Sequence, residues 1–277
     1  MSTDGKVAIV TGGAGGMGSV MSLALARAGL KVAAVDINAQ SLNRLAAAAA
    51  EERLQDRVRP FAVDIGDRAA CASLVPMVIA ELGGLHTLVN NAGIGMQIVD
   101  PEYSVKPPRF WESNIEGWQR LFDVNVRAPL ILAQAAARHM LGQKWGRIVN
   151  VTTSFDTMLA PKVWAYGQAK AALEAASAGW AGSVKDTGVT VNVLIPGGPV
   201  DTPLLPPNTD LPRDKLIRPE VMAAPICWLA SDDAEGFNNR RIIAREWNAA
   251  IPPREAAERC SDPIAWPGFG RRAVMPG

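Results

Sequence analysis

The sequence is poor in the residue types that build disulfide frameworks and metal centres. Its 277 residues include only three cysteines and two histidines. Cys71, Cys227 and Cys260 are far apart and odd in number, which predicts thiols in a reducing compartment rather than disulfides. His86 and His139 stand in neither a CxxC nor an HExxH pattern, so we expect no metal site.

Excess charge and long apolar runs are also lacking. The formal net charge is +1 and no basic tract is present, which argues against nucleic acid or a membrane surface as the main partner. No segment offers the roughly 20 uninterrupted apolar residues of a membrane span. The N-terminus reaches the apolar stretch KVAIVTGG almost at once and lacks the regions of a signal peptide. We therefore expect a cytoplasmic protein.

What the sequence does contain is ample material for a buried core, arranged in two alternating patterns. Hydrophobic residues make up 48% of the chain, and short Val/Ile-rich runs are typical of strands covered on both faces. Helix-like stretches separate these runs, so the order predicts an α/β fold with a parallel sheet between helices. Strands are predicted at 6–10, 31–36, 58–64, 86–91, 146–153, 189–196 and 240–247. Helices are predicted at 16–29, 39–54, 67–82, 117–141 and 164–186.

Three segments depart from this alternation. Residues 94–116 contain three prolines beside two large aromatics, and residues 196–219 contain seven prolines. Long loops in a compact domain are frequently functional, so we expect both to serve substrate binding. The last thirty residues, 248–277, receive no regular element. The sequence therefore predicts one domain over 1–247, with two loop insertions, followed by a tail.

A glycine-rich turn follows the first predicted strand and opens the first predicted helix. In VTGGAGGMGSV, Gly12, Gly16 and Gly18 form a G-x-x-x-G-x-G pattern. Glycines let two backbones approach closely, and free amides at a helix N-terminus favour an anion such as the pyrophosphate of a dinucleotide. The same glycines alone also fit a tight turn, but their place between strand and helix predicts a dinucleotide site.

An acidic residue ends the second predicted strand, 18 residues after Gly18. A carboxylate at Asp36 accepts hydrogen bonds from the adenosine ribose hydroxyls and repels a 2′-phosphate. No Arg or Lys in the turn or just after Asp36 offsets that repulsion. We therefore predict NAD in preference to NADP; the alternative is a solvated carboxylate at a strand end.

The stretch AYGQAK places Tyr166 four residues before Lys170, on one face of a predicted helix. An unperturbed phenol titrates near ~10 and is a poor base at neutral pH. A cation one turn away is expected to lower the pKa of Tyr166 and make the phenol an acid/base group. By itself, the pair also fits an exposed tyrosine and a solvated lysine.

Several motifs in order carry a family resemblance. They are the glycine turn, NNAG at 90–93, Asn125 in DVNV, TTS at 152–154, the Tyr166/Lys170 pair and PGGPVDT at 196–202. Over residues 5–247 the chain resembles the short-chain dehydrogenase/reductase family. The resemblance implies a doubly wound, Rossmann-type fold with a central parallel sheet of seven strands. It also implies reversible oxidation of a secondary alcohol to a ketone, with hydride transfer to NAD.

The resemblance assigns roles to individual residues. Tyr166 would be the acid/base, Lys170 would tune it and hold the nicotinamide ribose, and Asn125 would bind a water that links Lys170 to solvent. The cofactor contacts that it implies are Gly12, Gly16, Met17, Gly18, Asp36, Ile37, Asp64, Ile65, Asn91, Ala92, Gly93, Tyr166, Lys170, Pro196, Gly197, Val200 and Thr202.

The hydroxyl that completes this set is open between two neighbours. The family's serine usually lies 13 residues before the tyrosine, which is the position of Thr153, whereas Ser154 lies 12 residues before it. Either hydroxyl can donate to a substrate oxygen, although threonine has the stiffer side chain. Residue type and the TTSFD turn favour Ser154, and Thr153 is the alternative.

The substrate prediction depends on the two loops. The segment between Asn91 and Asn125 is longer than the family's usual spacing, and with residues 196–219 it would cover a bound substrate. An apolar, cyclic or aromatic alcohol or ketone is the predicted small-molecule substrate. Candidate pocket walls, each of which also fits ordinary packing, are Trp111, Phe155, Met158 and Trp164.

Assembly and a rival function complete the predictions. Family members usually pair through helices that correspond here to 117–141 and 164–186, so we expect a homodimer or homotetramer. The tail would cover the active site, reach a neighbouring subunit or form a loosely ordered terminus. The rival class is a non-catalytic NAD(H)-binding regulator of the same fold, against which the intact Tyr166/Lys170 pair argues.

Overall fold

A computed structural model describes residues 3–106, 108–205 and 211–267 of the chain. The two proline-rich segments and the tail are therefore each described in part.

The strands are β1 (Val7–Thr11), β2 (Lys31–Asp36), β3 (Val58–Ala62), β4 (Thr87–Asn90), β5 (Gly146–Val151), β6 (Val189–Ile195), β7 (Arg240–Ile243) and β8 (Ser261–Pro263). They form one sheet in the order β3-β2-β1-β4-β5-β6-β7-β8. Neighbours from β3 to β7 are parallel, and β8 is antiparallel to β7. The predicted fold class is confirmed, with an eighth strand at one edge.

Helices cover both faces of this sheet. They are α1 (Gly16–Arg27), α2 (Ala39–Glu51), α3 (Arg68–Leu82), α4 (Ile115–Phe122), α5 (Ala128–Gln143), α6 (Phe155–Leu159), α7 (Trp164–Ser183), α8 (Ala223–Leu229) and α9 (Pro253–Arg259). Side chains from α1, α2 and α8 build the core on one face, and side chains from α3, α5 and α7 build the core on the other. Because both faces are covered, β1, β4, β5 and β6 are buried along their whole length. This burial explains their unbroken apolar runs.

The strand order reverses between β1 and β4. The chain runs outward from β1 through β2 to β3 and then returns to place β4 on the other side of β1. Connections that leave these two strands in opposite directions open a crevice at their carboxyl ends. The Thr11 hydroxyl, at the end of β1, accepts hydrogen bonds of 3.0 Å from the N–H groups of Asn91 and Ala92. The NNAG motif is thereby held beside the end of β1, where the glycine turn begins.

The helix predicted at 117–141 is interrupted in the middle. It consists of α4 and α5, joined by a π-helical turn over Asp123–Arg127. Pro129, in the first turn of α5, has no N–H to donate to the Asn125 carbonyl, so the α-helical pattern cannot continue there. Such turns frequently occur at functional sites, and this one carries Asn125.

The C-terminal segment contains regular structure that the sequence pattern does not predict. Within 248–277 lie the helix α9 and the edge strand β8. Ala257 and Cys260 are buried in the same core as α1 and α8. β7 ends at Ile243, earlier than the predicted 247, because a 3₁₀ turn follows it. The first half of the predicted tail therefore belongs to the folded sheet.

The cysteines and histidines occupy structural positions. His86 accepts a hydrogen bond from the Val7 N–H, and His139 accepts one from the Leu85 N–H. The described residues hold no cluster of three or more His, Cys, Asp or Glu arranged for a metal ion. Nor does any described helix combine the length and apolar character needed to cross a membrane. Cys71, Cys227 and Cys260 are all free thiols, and burial raises the pKa of each to about 11.

Candidate active site

A cleft of about 390 Å³ opens at the carboxyl ends of β1, β2, β4 and β5. The cleft extends from the glycine turn to the Tyr166/Lys170 pair, and most of the cofactor-binding residues predicted from the sequence line it. Predicted residues that line it are Gly12, Gly16, Met17, Asp36, Ile37, Asp64, Ile65, Asn91, Ala92, Gly93, Tyr166, Lys170 and Thr202.

The glycine turn leaves no room for side chains at two positions. A Cβ on Gly18 would lie 1.9 Å from the Gly12 carbonyl oxygen, so the first turn of α1 can pack on the loop only through a glycine. A Cβ on Gly16, whose φ is +35°, would lie 2.7 Å from the Thr202 Cγ2. Thr202 therefore packs against the first turn of α1, and Gly16 and Thr202 line the cleft together.

Asp36 lies across the turn from these amides. Its carboxylate accepts hydrogen bonds from the Ala14 N–H at 3.3 Å and from the Asn38 N–H at 3.0 Å. The neighbouring Ile37 is 66% exposed and lines the same end of the cleft. The carboxylate is held by backbone donors at the cleft wall, and is thus more than a solvated strand end.

Asp64 has a partner that the sequence did not indicate. Arg120, on α4, donates to both carboxylate oxygens at 2.7 Å. Burial disfavours ionisation of Asp64, but the hydrogen bonds from Arg120 and from the Gly66 N–H hold its pKa below the ordinary value. Arg120 lines the cleft with Asp64, and this ion pair forms a wall where the resemblance predicts a cofactor contact.

Four residues predicted to contact the cofactor do not line the cleft in the described structure. Gly18 supports the glycine turn from within α1. Val200 forms a β-bridge with Ile217 and is 7% exposed. The Pro196 carbonyl accepts a hydrogen bond from the Arg245 N–H, and Gly197 packs against the Arg245 side chain. Pro196, Gly197 and Val200 shape the base of the loop that carries Thr202.

Tyr166 and Lys170 lie one turn apart on α7, as the spacing predicts. Lys170 is 3% exposed, and its ammonium lies 5.8 Å from the centre of the Tyr166 ring. The Lys170 Nζ donates a hydrogen bond of 2.8 Å to the Val151 carbonyl at the end of β5. The half-buried Tyr166 lines the cleft, so its phenol is available to a bound molecule.

The direction of the predicted shift in the tyrosine pKa is wrong for this chain by itself. Burial raises the pKa of Tyr166 to about 12, and the nearby phenol of Tyr103 adds to the rise. Burial also lowers the pKa of Lys170 to about 8. Removal from water disfavours the charged form of both groups, and it is the main cause of both pKa shifts.

Asn125 is fully buried, and both ends of its side chain are paired. Its Oδ1 accepts from the Ile94 N–H, and its Nδ2 donates to the Ile94 carbonyl, both at 2.9 Å. A Cβ on Gly93 would lie 3.4 Å from the Asn125 Oδ1 and 3.5 Å from the Lys170 Nζ. Asn125 therefore anchors the loop after β4 beside Lys170.

The two candidate hydroxyls are used differently. Ser154 is the N-cap of α6: its Oγ accepts from the Thr157 N–H at 3.3 Å and lies 2.8 Å from the Thr157 Oγ1. Among the residues that the structure describes, the Thr153 hydroxyl makes no hydrogen bond, although its carbonyl accepts one from Arg241. This arrangement counts against the sequence-based preference for Ser154.

The predicted substrate walls separate into different environments. Met158 is 5% exposed and packs beneath α7, where a Cβ on Gly167 would lie 2.4 Å from the Met158 carbonyl oxygen. Trp111 is 67% exposed and lies in the loop before α4. Phe155 lies 5.5 Å, centre to centre, from the ring of Trp266. The tail thus contributes an aromatic side chain next to the start of α6.

Four residues near the site were not predicted from the sequence. Tyr103 and Arg120 follow from no spacing rule, because they come from the long loop and from the helix after it. Glu174 had a usable signal: it lies four residues after Lys170, as Lys170 does after Tyr166, and so continues one face of α7. Arg241 is the second of two arginines that begin β7, and its partner lies far away in the sequence.

Comparisons with known proteins agree with this geometry. A family described as short chain dehydrogenase matches residues 6–210. This chain belongs to that family. The match covers the sheet from β1 to β6, the glycine turn and the Tyr166/Lys170 pair, and it supports a dehydrogenase or reductase that uses NAD(P).

Individual relatives extend the similarity beyond the family match. D-threitol dehydrogenase of Mycolicibacterium smegmatis is 31% identical over 252 residues, 87% of this chain and 91% of that protein. A 2,5-dichloro-2,5-cyclohexadiene-1,4-diol dehydrogenase of Sphingobium indicum is 31% identical, with 83% of this chain and 91% of that protein covered. The crystal structure of a short-chain type dehydrogenase/reductase from Mycobacterium marinum has a TM-score of 0.74 at 26% identity, over 86% of this chain and 92% of that one.

Proposed function

We propose that this protein is an NAD-dependent oxidoreductase that interconverts a secondary alcohol and a ketone. The observation that carries the proposal is the continuity of one cleft, which joins the glycine turn and Asp36 at one end to Tyr166 and Lys170 at the other. NAD supplies a hydride acceptor at the reacting carbon. The groups that would move the matching proton, Tyr166 and Lys170, line this same cleft.

The protein's part is to handle the proton. During ketone reduction, Tyr166 donates its phenolic proton to the carbonyl oxygen, a role that suits a phenol whose pKa burial raises. During alcohol oxidation, Tyr166 accepts that proton, so this direction is favoured by higher pH and by the positive charges of Lys170 and of the oxidised cofactor. Lys170 would also hold the nicotinamide ribose, and Asn125 anchors the loop beside it.

Thr153 is the hydroxyl that we assign to the substrate oxygen. Thr153 lies two residues after Val151, whose carbonyl accepts a hydrogen bond from the Lys170 ammonium. The Ser154 hydroxyl is engaged with Thr157 as the cap of α6, which leaves the Thr153 hydroxyl for the substrate. Ser154 instead holds the first turn of α6. A donor aimed at the substrate oxygen stabilises the charge that develops during transfer.

The choice of NAD over NADP rests on Asp36. Its carboxylate, which the amides of Ala14 and Asn38 hold at the cleft wall, would accept hydrogen bonds from ribose hydroxyls and repel a 2′-phosphate. The cradle fits the cofactor because Gly12, Gly15 and Gly16 line the cleft without side chains at the start of α1, where free amides favour a pyrophosphate. Further contacts come from Met17, Ile37, Ile65, Asn91, Ala92, Gly93 and Thr202 along the cleft, with Asp64 at the adenine and with Pro196, Gly197 and Val200 supporting the loop.

The substrate class is an apolar, cyclic or aromatic alcohol or its ketone. Phe155, Trp164 and Trp266 supply aromatic surface around the start of α6 and α7. The Sphingobium indicum relative is named for a cyclic diol, which is consistent with this class. We further propose a cytoplasmic homodimer or homotetramer assembled through α5 and α7; Leu130 and Leu141 of α5 are 40% and 42% exposed.

Purified protein with NAD or NADP and a panel of alcohols tests the proposal. We expect NADH formation, followed at its near-ultraviolet absorbance, with cyclic or aromatic secondary alcohols. Turnover of small charged hydroxy acids alone would contradict the substrate class, and preference for NADP would contradict the role of Asp36. Cofactor binding with no turnover of any alcohol or ketone would favour the rival NAD(H)-binding regulator.

A further inference from the structure

A buried carboxylate lies one helical turn beyond the proposed proton-transfer pair. Glu174 of α7 is completely buried. Its Oε2 accepts a hydrogen bond of 2.6 Å from the Thr152 Oγ1, at the end of β5, and its Oε1 lies 3.0 Å from the Arg241 Nε. A buried carboxylate requires such compensation, because an unpaired charge away from water is strongly destabilising.

Arg241 connects this carboxylate to the backbone of the proposed catalytic hydroxyl. While its Nε faces Glu174, its Nη2 donates a hydrogen bond of 2.8 Å to the Thr153 carbonyl. The Nε–H is not aligned with the Glu174 oxygen for a hydrogen bond, so the bond to Thr153 is the better-directed contact of the guanidinium. Arg241 lies on β7, and it therefore joins the sheet edge to the loop after β5.

A hydrogen bond to the Thr153 carbonyl restrains the backbone of two residues. The carbonyl belongs to the planar peptide that links Thr153 to Ser154, so holding it sets the backbone on both sides. The Thr152 hydroxyl is held by Glu174 and the Ser154 hydroxyl by its cap on α6. With its carbonyl and both neighbours held, the backbone of Thr153 is fixed, which sets the direction of its Cα–Cβ bond.

We propose that Arg241 and Glu174 are positioning residues that hold the Thr153 hydroxyl toward the substrate oxygen. The inference rests on the proposed function, in which Thr153 donates to that oxygen. Neither residue touches the substrate. They act through the Thr153 carbonyl and the Thr152 hydroxyl, and they tie this loop to α7, the helix that carries Tyr166 and Lys170.

The same carboxylate also receives the C-terminal segment. The Ala265 N–H donates to the Glu174 Oε1 at 3.3 Å, and the following residue, Trp266, packs on Phe155. The Glu174 carboxylate of α7 thus contacts residues from the end of β5, from β7 and from the segment after β8. The segment after β8 therefore packs beside the loop after β5 and the start of α6.

The neighbouring arginine provides a matched control. Arg240 precedes Arg241 on β7 and donates to the carbonyl and hydroxyl of Ser261 on β8. It anchors the edge strand, but it makes no contact with Thr153 or Glu174 in the described structure. Comparing variants of the two arginines therefore separates the effect of holding the loop after β5 from the effect of anchoring β8 at the edge of the sheet.

The test uses Arg241→Lys, the double variant Arg241→Met with Glu174→Gln, and the control Arg240→Lys. Lysine keeps a positive charge beside Glu174 but lacks the fork that reaches two groups at once, and the double variant leaves no unpaired buried charge. Hydrogen exchange is followed for the peptide over residues 151–158. In parallel, kcat and KM are measured with the best alcohol of the panel, and NAD affinity by fluorescence titration.

We expect both Arg241 variants to exchange faster over 151–158 and to lose about tenfold or more in kcat, because small displacements of a donor are costly. NAD affinity should not change, since the adenosine end of the cleft is untouched. Arg240→Lys should exchange faster only in the peptide that contains Ser261 and should keep the wild-type kcat.

Equal effects of the Arg240 and Arg241 variants on exchange over 151–158 would overturn the positioning role, as would an unchanged kcat in both Arg241 variants. Absence of alcohol turnover by the wild type would instead count against the proposed function. The exchange comparison would then still decide whether Arg241 holds the Thr153 backbone.

Discussion

The two ends of the cleft are built from different materials. At the cofactor end, the shape comes from backbone: Gly18 packs on the Gly12 carbonyl, and the amides of Ala14 and Asn38 hold Asp36. At the end where the chemistry is proposed, the shape comes from buried polar side chains, among them Lys170 and Glu174. Close backbone contacts tolerate almost no added side-chain volume, but they require only a glycine at the point of contact. Buried polar side chains instead require hydrogen-bond or ion-pair partners, which come from distant parts of the sequence.

This difference teaches where each end is vulnerable. A substitution in the turn acts by steric overlap and should change cofactor affinity first. A substitution at the chemical end removes a proton donor or leaves a buried charge without its partner, and should change kcat or folding stability. The following predictions test that division, beginning with the largest expected effect.

Loss of the proposed hydroxyl donor should affect only catalysis. Thr153→Ala is expected to lower kcat by roughly 100-fold to 1000-fold, the usual effect of removing one donor to a developing oxyanion, with NAD affinity unchanged. Ser154→Ala is the matched control: it should leave kcat near wild type but lower the free energy of unfolding by about 1 kcal/mol through loss of the helix cap. The reverse pattern of kcat values would return the role to Ser154.

Removal of the buried ammonium should change the pH dependence of stability. The pKa of Lys170 is about 8 in the folded chain, against the ordinary lysine value of 10.5 that applies when the chain is unfolded. Below pH 8 both states are protonated and the folded state carries the full cost of the buried charge; above 10.5 both are neutral and the cost is gone. Relative to Lys170→Met, the unfolding free energy of the wild type should therefore rise by about 3 kcal/mol from pH 8 to 10.5. Denaturant titrations that give parallel pH profiles would contradict this.

A methyl group in the glycine turn should weaken cofactor binding. Gly18→Ala places a Cβ against the Gly12 carbonyl oxygen, and we expect displacement of the turn to cost about 2 kcal/mol, or roughly thirtyfold in the Kd of NAD. Gly142→Ala is the control, because a Cβ there meets nothing within 4 Å. Its NAD titration should match the wild type; a Gly18→Ala titration that also matched would show that the turn adapts.

The smallest effect is expected at the ribose contact. Asp36→Ala removes a charged acceptor, and the Kd of NAD should rise about tenfold, as for loss of one charge-assisted hydrogen bond. The Kd of NADP should fall, because the repulsion of a 2′-phosphate is removed. Calorimetric titration with both cofactors measures the two changes, and a parallel rise in both Kd values would contradict the assignment.

The same division explains which features were predictable. The parallel sheet and most of the cleft wall followed from apolar alternation and motif order, since local pattern and backbone geometry determine them. The strand β8 was missed because its pairing with β7 depends on long-range contacts of a segment with no β-rich pattern. The ion pairs Asp64–Arg120 and Glu174–Arg241 were missed for the same reason: each joins residues more than fifty positions apart.

The π-helical turn and the hydroxyl choice show a second limit. Pro129 signalled a break near Asn125, but the pattern of apolar residues runs through it and favoured one continuous helix. Our assignment of Thr153 depends on Ser154 being the cap of α6, and the exact start of a five-residue helix decides which hydroxyl is the cap. Side-chain pKa values depended on burial at Tyr166 and Lys170, which spacing alone does not reveal.

The central claim is that Tyr166 transfers the proton that accompanies hydride transfer. The most direct measurement is kcat of Tyr166→Phe beside the wild type, with NAD and the best alcohol of the panel, together with the Kd of NAD for both proteins. The account predicts a fall in kcat of about 1000-fold with the Kd unchanged. Turnover by Tyr166→Phe at the wild-type rate would contradict it.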